Sequence, residues 1–245
     1  MIPDKKEEKL FMRSFFRKAG KAIYDYNLIE DGDRILVGVS GGKDSLALLE
    51  VLALRAKDPK NNYTVVAAHI GVENVAYEVD SDYIQKLCDS LGVELICRTI
   101  KTEVREDSKK PVCFICSWNR RKELFQIAKE KECNKLALGH HRDDAIESLL
   151  MSMMFNGTIA SMPPRLEMFD GTFTLIRPFI YLSNNETLKY AAFRQFKKQK
   201  KNCPHERATN REAVHQIIGQ MESLSPHVRE NLFAAMKNIQ QEYLP

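Results

Sequence analysis

The chain has few cysteines and no long apolar run. Six cysteines in 245 residues are too few for a disulfide-stabilised scaffold. In a reducing compartment, closely spaced cysteines are more often metal ligands or redox groups. The longest stretch without a charged residue covers 148–164, and Asn, Gly, Thr, Ser and two Pro interrupt it. We therefore expect no membrane span.

The net charge is also small, at +4 from 37 Lys and Arg against 33 Asp and Glu, so it cannot by itself indicate nucleic-acid binding. Hydrophobic residues make up 44% and charged residues 29%, which excludes a disordered or fibrous chain. The first ten residues carry mixed charge and no apolar core, so we expect no signal peptide and a cytoplasmic protein.

Short apolar runs alternate with amphipathic stretches along most of the chain. This alternation predicts an α/β fold, with a twisted parallel sheet of about five strands, helices on both faces, and further helices at both ends. The predicted strands cover 34–39, 63–70, 93–100, 135–139 and 172–179. The predicted helices cover 5–28, 45–57, 80–91, 117–131, 143–155, 185–196 and 212–242, the last of these with a possible break near Ser225-Pro226.

A glycine-rich loop directly follows the first predicted strand and opens a helix. Its residues are Ser40, Gly41, Gly42, Lys43, Asp44 and Ser45. Two glycines allow the backbone to approach an anion closely, and the helix start offers free N–H groups. The loop therefore predicts a polyphosphate cradle. It is not a Walker A loop, because Asp44 stands where that pattern needs Ser or Thr. A carboxylate there would repel phosphate unless it holds Mg²⁺.

The loop resembles the PP-loop of the N-type ATP pyrophosphatases. That superfamily attacks the α-phosphate of ATP, adenylates a substrate oxygen and releases pyrophosphate. The resemblance implies ATP and Mg²⁺ as ligands of residues 40–45. The loop alone does not choose among members such as GMP synthetase, lysidine synthetase and the tRNA thiolases.

Cys113 and Cys116 form a C-x-x-C pair, which lets two thiolates meet one metal or cluster. The pair is also compatible with a redox dithiol or with half of a zinc site. Cys203 lies in a polar, loop-like segment and is the best candidate for a third ligand. Three cysteines suit a 4Fe-4S cluster with one open iron, or a zinc site completed by His205. The other cysteines are expected to be small buried hydrophobes: Cys88, Cys97 and Cys133.

A PP-loop, a C-x-x-C followed by an Arg pair and a single late cysteine together resemble the tRNA-cytidine 2-sulfurtransferases. In that family three cysteines hold a 4Fe-4S cluster that delivers sulfur. The resemblance implies Cys113, Cys116 and Cys203 as its ligands. The family often has a second C-x-x-C at the late ligand, and here Glu206 stands three residues after Cys203.

A polar segment follows the fourth predicted strand and contains Gly139, His140, His141 and Asp144. Asp143 or Asp144 can cap the next helix. The segment also resembles the family's second motif, which lies beside ATP and the reacting base. We therefore place Asp144 near substrate or metal and Gly139 and His141 in the nucleotide site.

Two further residues complete the predicted site. His69 ends the second strand, a usual place for a residue near adenine, although a satisfied polar residue there is about as plausible. Arg120 lies beside the cysteine pair, and we expect Arg120 and Lys43 to stabilise developing negative charge.

Positive charge concentrates in residues 194–211, where seven Lys and Arg stand against Glu206 alone. With the basic residues beside the cysteine pair, this segment predicts a surface for a phosphate backbone, although a solvated helix face is an alternative.

The sequence thus predicts an ATP-dependent tRNA thiolase. The predicted parts are a helical extension over 1–28, an ATP-binding domain with the cysteine insertion over 29–192, and a basic segment with terminal helices over 193–245. Its partners would be tRNA, ATP and a sulfur donor such as a cysteine desulfurase or sulfide, and a homodimer is compatible with it. The resemblance implies cytidine 32 as the target. Alternatives are a 2-thiouridine or lysidine synthetase, a redox pair that passes persulfide sulfur, and a non-catalytic metal and nucleotide binder.

Overall fold

The structure is a computed structural model that describes residues 5–73, 80–101, 112–197 and 210–243. Its centre is a six-stranded sheet, which is parallel except for one antiparallel strand at an edge. The strand order is β3-β2-β1-β4-β6-β5. The strands are β1 (Arg34–Gly38), β2 (Thr64–Val72), β3 (Glu94–Ile100), β4 (Lys135–Ala137), β5 (Arg165–Met168) and β6 (Phe173–Ile176).

Helices cover both faces of this sheet, because alternate residues of its strands are apolar on opposite sides. In β1, Ile35 and Val37 enter one core with α1, α2, α3 and α6, whereas Leu36 enters a second core with α4. The helices are α1 (Lys5–Asp25), α2 (Lys43–Ala56), α3 (Ser81–Leu91), α4 (Val112–Glu130), α5 (Arg142–Asn156), α6 (Asn184–Phe193), α7 (Asn210–Leu224) and α8 (Val228–Ala235), and Gln241–Tyr243 is a 3₁₀ turn.

The predicted α/β fold is confirmed, with two differences in its elements. The sheet has six strands instead of about five, because the four-residue β5 was too short to recognise in the sequence. Helix α4 begins at Val112 instead of Ser117, so the cysteine pair lies inside the helix. Ser117 lies inside the helix, where its hydroxyl donates to the Phe114 carbonyl oxygen at 3.0 Å and so does not act as an N-cap.

The chain order places a topological switch point between β1 and β4. From β1 the chain moves outward through β2 to β3, and it then returns to add β4 and β6 on the other side of β1. Ligands of such sheets bind beyond the carboxyl ends of the strands at this point. The glycine-rich loop follows β1 and the Gly139–Asp144 segment follows β4, so both flank it.

No helix in the described part of the chain is long and apolar enough to cross a membrane. The predicted break in the C-terminal helical region is confirmed, since α7 ends at Leu224 and α8 begins at Val228.

Candidate active site

Hydrogen bonds of Ser40 and Ser45 fix the conformation of the loop between β1 and α2. The Ser45 hydroxyl accepts from the Ser40 backbone N–H at 3.1 Å and donates to the Gly42 carbonyl oxygen at 2.9 Å. Gly41 has a φ of +83°, a conformation that favours glycine. Gly42 begins α2 without a side-chain cap, so no side chain occupies the first N–H groups of the helix in the manner of a cap. This arrangement can bind an anion.

The Lys43 ammonium is directed toward α6. Its Nζ lies 2.6 Å from Asp44 Oδ1, 2.8 Å from Asn184 Oδ1 and 3.0 Å from Thr187 Oγ1. Three acceptors on two helices therefore fix the cation beside the loop. The Asp44 carboxylate is partly exposed and remains accessible at the mouth of the site.

The segment after β4 faces this loop. His141 caps α5, since its Nδ1 accepts from the Asp144 backbone N–H at 3.4 Å while Asp144 Oδ2 accepts from the His141 backbone N–H at 2.9 Å. The sequence offered Asp143 or Asp144 as the cap, whereas the N-cap residue is His141 and Asp144 takes part as the N3 residue of its capping box. In the neutral ring the proton is on Nε2, which lies 4.0 Å from Asp44 Oδ1.

Gly139 allows the two loops to approach each other. A Cβ at this position would lie 2.9 Å from the Asp44 carbonyl carbon and oxygen and 3.1 Å from the Ser45 nitrogen. All three contacts are with backbone atoms, which have no flexible end that could move away. The close approach of the two loops therefore requires glycine here.

His69 and Arg120 lie at the same edge of the sheet. The buried His69 donates from Nδ1 to the Val39 carbonyl oxygen at 2.8 Å, so Nε2 of the neutral ring is an acceptor. Burial lowers the pKa of His69. Arg120 Nη2 and Nε donate to the Ile70 carbonyl oxygen at 3.0 and 3.2 Å, which anchors α4 to the end of β2.

Arg177 connects the end of β6 to the same segment. Its guanidinium donates to the Pro163 carbonyl oxygen and, at 3.4 Å, to His140 Nδ1. Burial, with a smaller contribution from the charge of Arg121, lowers the pKa of Arg177 to about 10. Burial also lowers the pKa of His140 to about 4, so this ring is neutral at pH 7 and can accept the bond.

The cysteine pair lies in the first turns of α4, three residues apart and therefore on one side of the helix. Cys113 is exposed and Cys116 is half-buried. Cys203 and His205 lie outside the described residues. Within the described residues, no group of three His, Cys, Asp or Glu side chains could hold a metal ion. The spacing of the pair is compatible with two ligands of one metal or cluster, and the assignment of Cys203 stays a prediction.

Two of the other cysteines are buried as predicted, namely Cys88 and Cys133. The prediction for Cys97 was wrong, since this residue is exposed. The physical reason is its strand, because β3 is an edge strand of the sheet and less of its surface is covered.

The basic segment is only partly described, and the described cations bind carboxylates. Arg194 pairs with the buried Glu50, Lys197 pairs with Asp80, and Arg211 lies 3.7 Å from both Asp144 and Glu147. These three residues therefore contribute less to a free positive surface than their number in the sequence predicts.

The sequence interpretation missed two residues of the site, Asn184 and Thr187. A signal for the helix that carries them was present, because Ser183 and Glu186 form the S-x-x-E pattern of a capping box, and the structure contains that box. Their contact with Lys43 joins residues more than 140 positions apart, and no local pattern indicates it.

The chain resembles known proteins over most of its length. A family model described as a PP-loop domain matches residues 12–221. The fold and the loop at the switch point define a PP-loop protein.

Curated relatives specify the class further. The tRNA-cytidine(32) 2-sulfurtransferase of Syntrophotalea carbinolica is 37% identical over 97% of this chain and 93% of its own length. That of Sorangium cellulosum is 36% identical over 95% and 83%, and that of Geobacter metallireducens is 33% identical over 97% and 94%. The chain belongs to this family of enzymes, the tRNA-cytidine(32) 2-sulfurtransferases.

A solved structure supports the fold. The U34-tRNA thiolase NcsA from Methanococcus maripaludis, described with its [4Fe-4S] cluster, superimposes with a TM-score of 0.75 over 96% of this chain and 80% of its own. The identity is 24%, so this likeness concerns the fold alone. NAD⁺ synthetase from Burkholderia pseudomallei shares the fold more distantly, at 13% identity and a TM-score of 0.51 over 96% of this chain and 91% of its own.

Proposed function

We propose that this enzyme replaces the C2 oxygen of a cytidine in tRNA by sulfur, at the cost of one ATP. The observation that carries the proposal is the meeting of three features at one edge of the sheet. These are the loop after β1, the His141–Asp144 segment after β4, and the helix start that bears Cys113 and Cys116. Membership of the sulfurtransferase family supplies the substrate class.

In the first half of the reaction the C2 oxygen attacks the α-phosphate of ATP, and pyrophosphate leaves. The free N–H groups at the start of α2 would bind the phosphates. Asp44 would hold the Mg²⁺ that ATP brings, since a carboxylate in a phosphate site needs a cation. Lys43 would stabilise the charge on the departing pyrophosphate, moving from the acceptors on α6 or acting beside them.

In the second half, sulfur bonds to C2 and AMP leaves with the oxygen. The cluster, when bound, supplies the sulfur for this exchange. Cys113 and Cys116 would be two of its ligands and Cys203 the third. Arg120, fixed on the Ile70 carbonyl group one turn further along α4, would place a cation between the start of this helix and the nucleotide.

The remaining groups of the site would position the nucleotide. Asp144 donates its backbone N–H to His141 Nδ1 and lies near Arg211, so it would orient the His141 ring toward the nucleotide. His69, neutral and buried, would present Nε2 as an acceptor to an adenine amino group. The sulfur donor would be a cysteine desulfurase or sulfide, and the site of action the cytoplasm. The divisions of the chain at residues 28 and 192, and a homodimer, stay predictions.

The first experiment is anaerobic purification with iron and sulfide analysis and a visible absorption spectrum. We expect about four irons and four sulfides per chain. We expect Cys116→Ala and Cys203→Ala to lose both. Cys97→Ala is the matched control, because it removes an exposed thiol outside the proposed ligand set and should retain the cluster.

The reaction itself is tested by nucleoside mass spectrometry of a tRNA transcript incubated with ATP and a sulfide source. We expect 2-thiocytidine and tRNA-dependent pyrophosphate release, and neither with a transcript in which uridine replaces cytidine 32. Bound zinc, or an intact cluster in Cys203→Ala, would contradict the ligand assignment. Thiolation under air without iron would favour the redox pair. Pyrophosphate release without thiolation would indicate a different PP-loop activity.

A further inference from the structure

A groove of about 970 Å³ lies between α4 and the β5–β6 hairpin and meets the site described above at Arg177. It opens on the sheet face that α4 covers, opposite the face of α1, α2, α3 and α6. Its walls combine large apolar side chains with cations. Among the described residues that line it there is no Asp or Glu.

One wall is a stripe along α4 formed by Trp118, Lys122, Phe125 and Lys129. Their spacing of four, three and four residues places them on one side of the helix. Trp118 is 54% exposed, and the Lys122 ammonium lies 5.9 Å from the centre of its ring. A tryptophan in this position offers a flat apolar face to solvent beside a positive charge.

The opposite wall ends in Phe169, at the turn between β5 and β6. Phe169 is 60% exposed and has a φ of +53°, which is strained for a bulky side chain. Its ring stands at 90° to that of Phe125, with the centres 5.7 Å apart. Asp170 and Gly171 also have positive φ, so this conformation belongs to the hairpin turn, and the turn presents a second aromatic ring at the groove.

The cations of the groove carry unbalanced charge. Among the described residues, no carboxylate lies within ion-pair distance of Arg121, Lys122 or Lys129. On the same helix and its neighbours, by contrast, Arg98 pairs with Glu123 and Lys131 pairs with Glu94. The positive charge of the groove therefore favours a negatively charged ligand, and the aromatic rings of the groove favour a ligand with flat rings. Single-stranded RNA has both properties.

The groove leads toward the candidate active site. Arg177 lies in the groove and donates to His140, next to His141 in the segment after β4. Because β6 is parallel to β4, Arg177 follows the carboxyl end of β6 at the same edge of the sheet as that segment. An RNA strand that follows α4 from Lys129 to Trp118 would therefore arrive where the thiolation chemistry is proposed.

We infer that this groove binds the single-stranded anticodon loop of the tRNA substrate, with a base stacked on Trp118 and phosphates on Lys122 and Lys129. The identity of the RNA rests on the proposed function. The groove supplies the approach of the loop, and the site at the switch point supplies the chemistry.

The experiment uses Trp118 itself as the probe, because it is the single tryptophan of the chain. Its emission is titrated with an anticodon stem-loop RNA, and affinity is measured separately by anisotropy of a labelled RNA. We expect saturable quenching in the wild type. We expect Lys122→Ala/Lys129→Ala to weaken binding at least tenfold at low salt and to reduce the slope of log affinity against log salt by about 1.4. Trp118→Ala should weaken binding at least tenfold through lost stacking.

The matched control is Lys57→Ala/Lys86→Ala, which removes two exposed lysines from the opposite face and should change binding little. All the substituted side chains are exposed, so thermal melts should be unchanged. Unchanged affinity in both groove variants, or equal quenching by polyglutamate, which has no bases, would overturn the groove assignment and leave the proposed function standing. A wild-type protein that binds no RNA would overturn both, and the iron analysis and pyrophosphate assay would report the proposed function separately.

Discussion

At the scale of single residues, the closest approach in the site is between Gly139 and the backbone of Asp44. We predict that Gly139→Ala forces the two loops apart, because the new Cβ would lie 2.9 Å from backbone atoms that cannot rotate away. Strain of this kind costs about 1–3 kcal/mol. We expect ATP affinity, measured by calorimetry, to fall more than tenfold while the circular dichroism spectrum is retained.

Gly219 supplies the control for this substitution. It lies in α7, and a Cβ there would meet nothing within 4 Å. Gly219→Ala should leave ATP affinity unchanged and raise stability by up to about 1 kcal/mol, since alanine favours a helix. Equal ATP affinity in Gly139→Ala and the wild type would contradict the importance of the close approach.

The same scale shows what the sequence can predict about a site. The Ser40–Ser45 loop and the Gly139–Asp144 segment are continuous in the chain, and each carries its own chemical signal at the end of a strand. The acceptors of Lys43 on α6 carry no such local signal, because their position depends on how α6 packs against α2. The role of His141 as a helix cap was also missed, since His is an uncommon cap and Asp143 and Asp144 are ordinary ones.

At the scale of elements, a buried carboxylate joins the helix of the phosphate loop to α6. Glu50 of α2 is almost completely buried and accepts from the Tyr190 hydroxyl at 2.8 Å and from Arg194 Nε at 2.9 Å. These bonds keep α6, with Asn184 and Thr187, against Lys43. Arg194 is thus a structural partner in a segment whose charge suggested RNA binding.

We predict that Arg194→Gln destabilises the protein by about 2 kcal/mol and changes RNA affinity little. The substitution leaves a buried carboxylate without its cation, which costs 3–5 kcal/mol in a fully buried pair and less here because Arg194 is partly exposed. Urea unfolding measures the first effect and RNA anisotropy the second. Lys122→Ala is the converse control, with an expected loss of RNA affinity and unchanged stability. A large loss of RNA affinity in Arg194→Gln would restore its role in the basic surface.

Element types were predictable from the sequence, whereas their ends and pairings were less so. Buried strands such as Arg34–Gly38 are short apolar runs between turn signals, and the structure contains a strand where this pattern predicts one. The start of α4 was predicted at Ser117, but the helix already begins at Val112, in a stretch whose proline and cysteines had indicated a loop. Strand β5 exists through its antiparallel pairing with β6, which no four-residue sequence can indicate by itself.

At the scale of the whole molecule, the first helix is part of the main core. Phe15 of α1 has no exposed surface, stacks on Tyr190 with ring centres 4.4 Å apart, and meets the edge of Phe179 at 5.3 Å. It therefore packs on α6 and on the chain that follows β6. The sequence pattern predicts the amphipathic face of α1 but not the elements against which that face packs.

We predict that Phe15→Ala lowers the free energy of unfolding by about 3–5 kcal/mol, because it leaves a cavity at the junction of α1, α6 and the segment after β6. Equilibrium urea unfolding measures this loss. Leu10→Ala on the same helix is the control, and its effect should stay within about 0.5 kcal/mol because Leu10 is 61% exposed. If α1 were a separate appendage, Phe15→Ala would leave the main transition unchanged. A single cooperative transition shifted by Phe15→Ala would mean that the helix and the nucleotide site unfold together, so that loss of the first helix would also remove ATP binding.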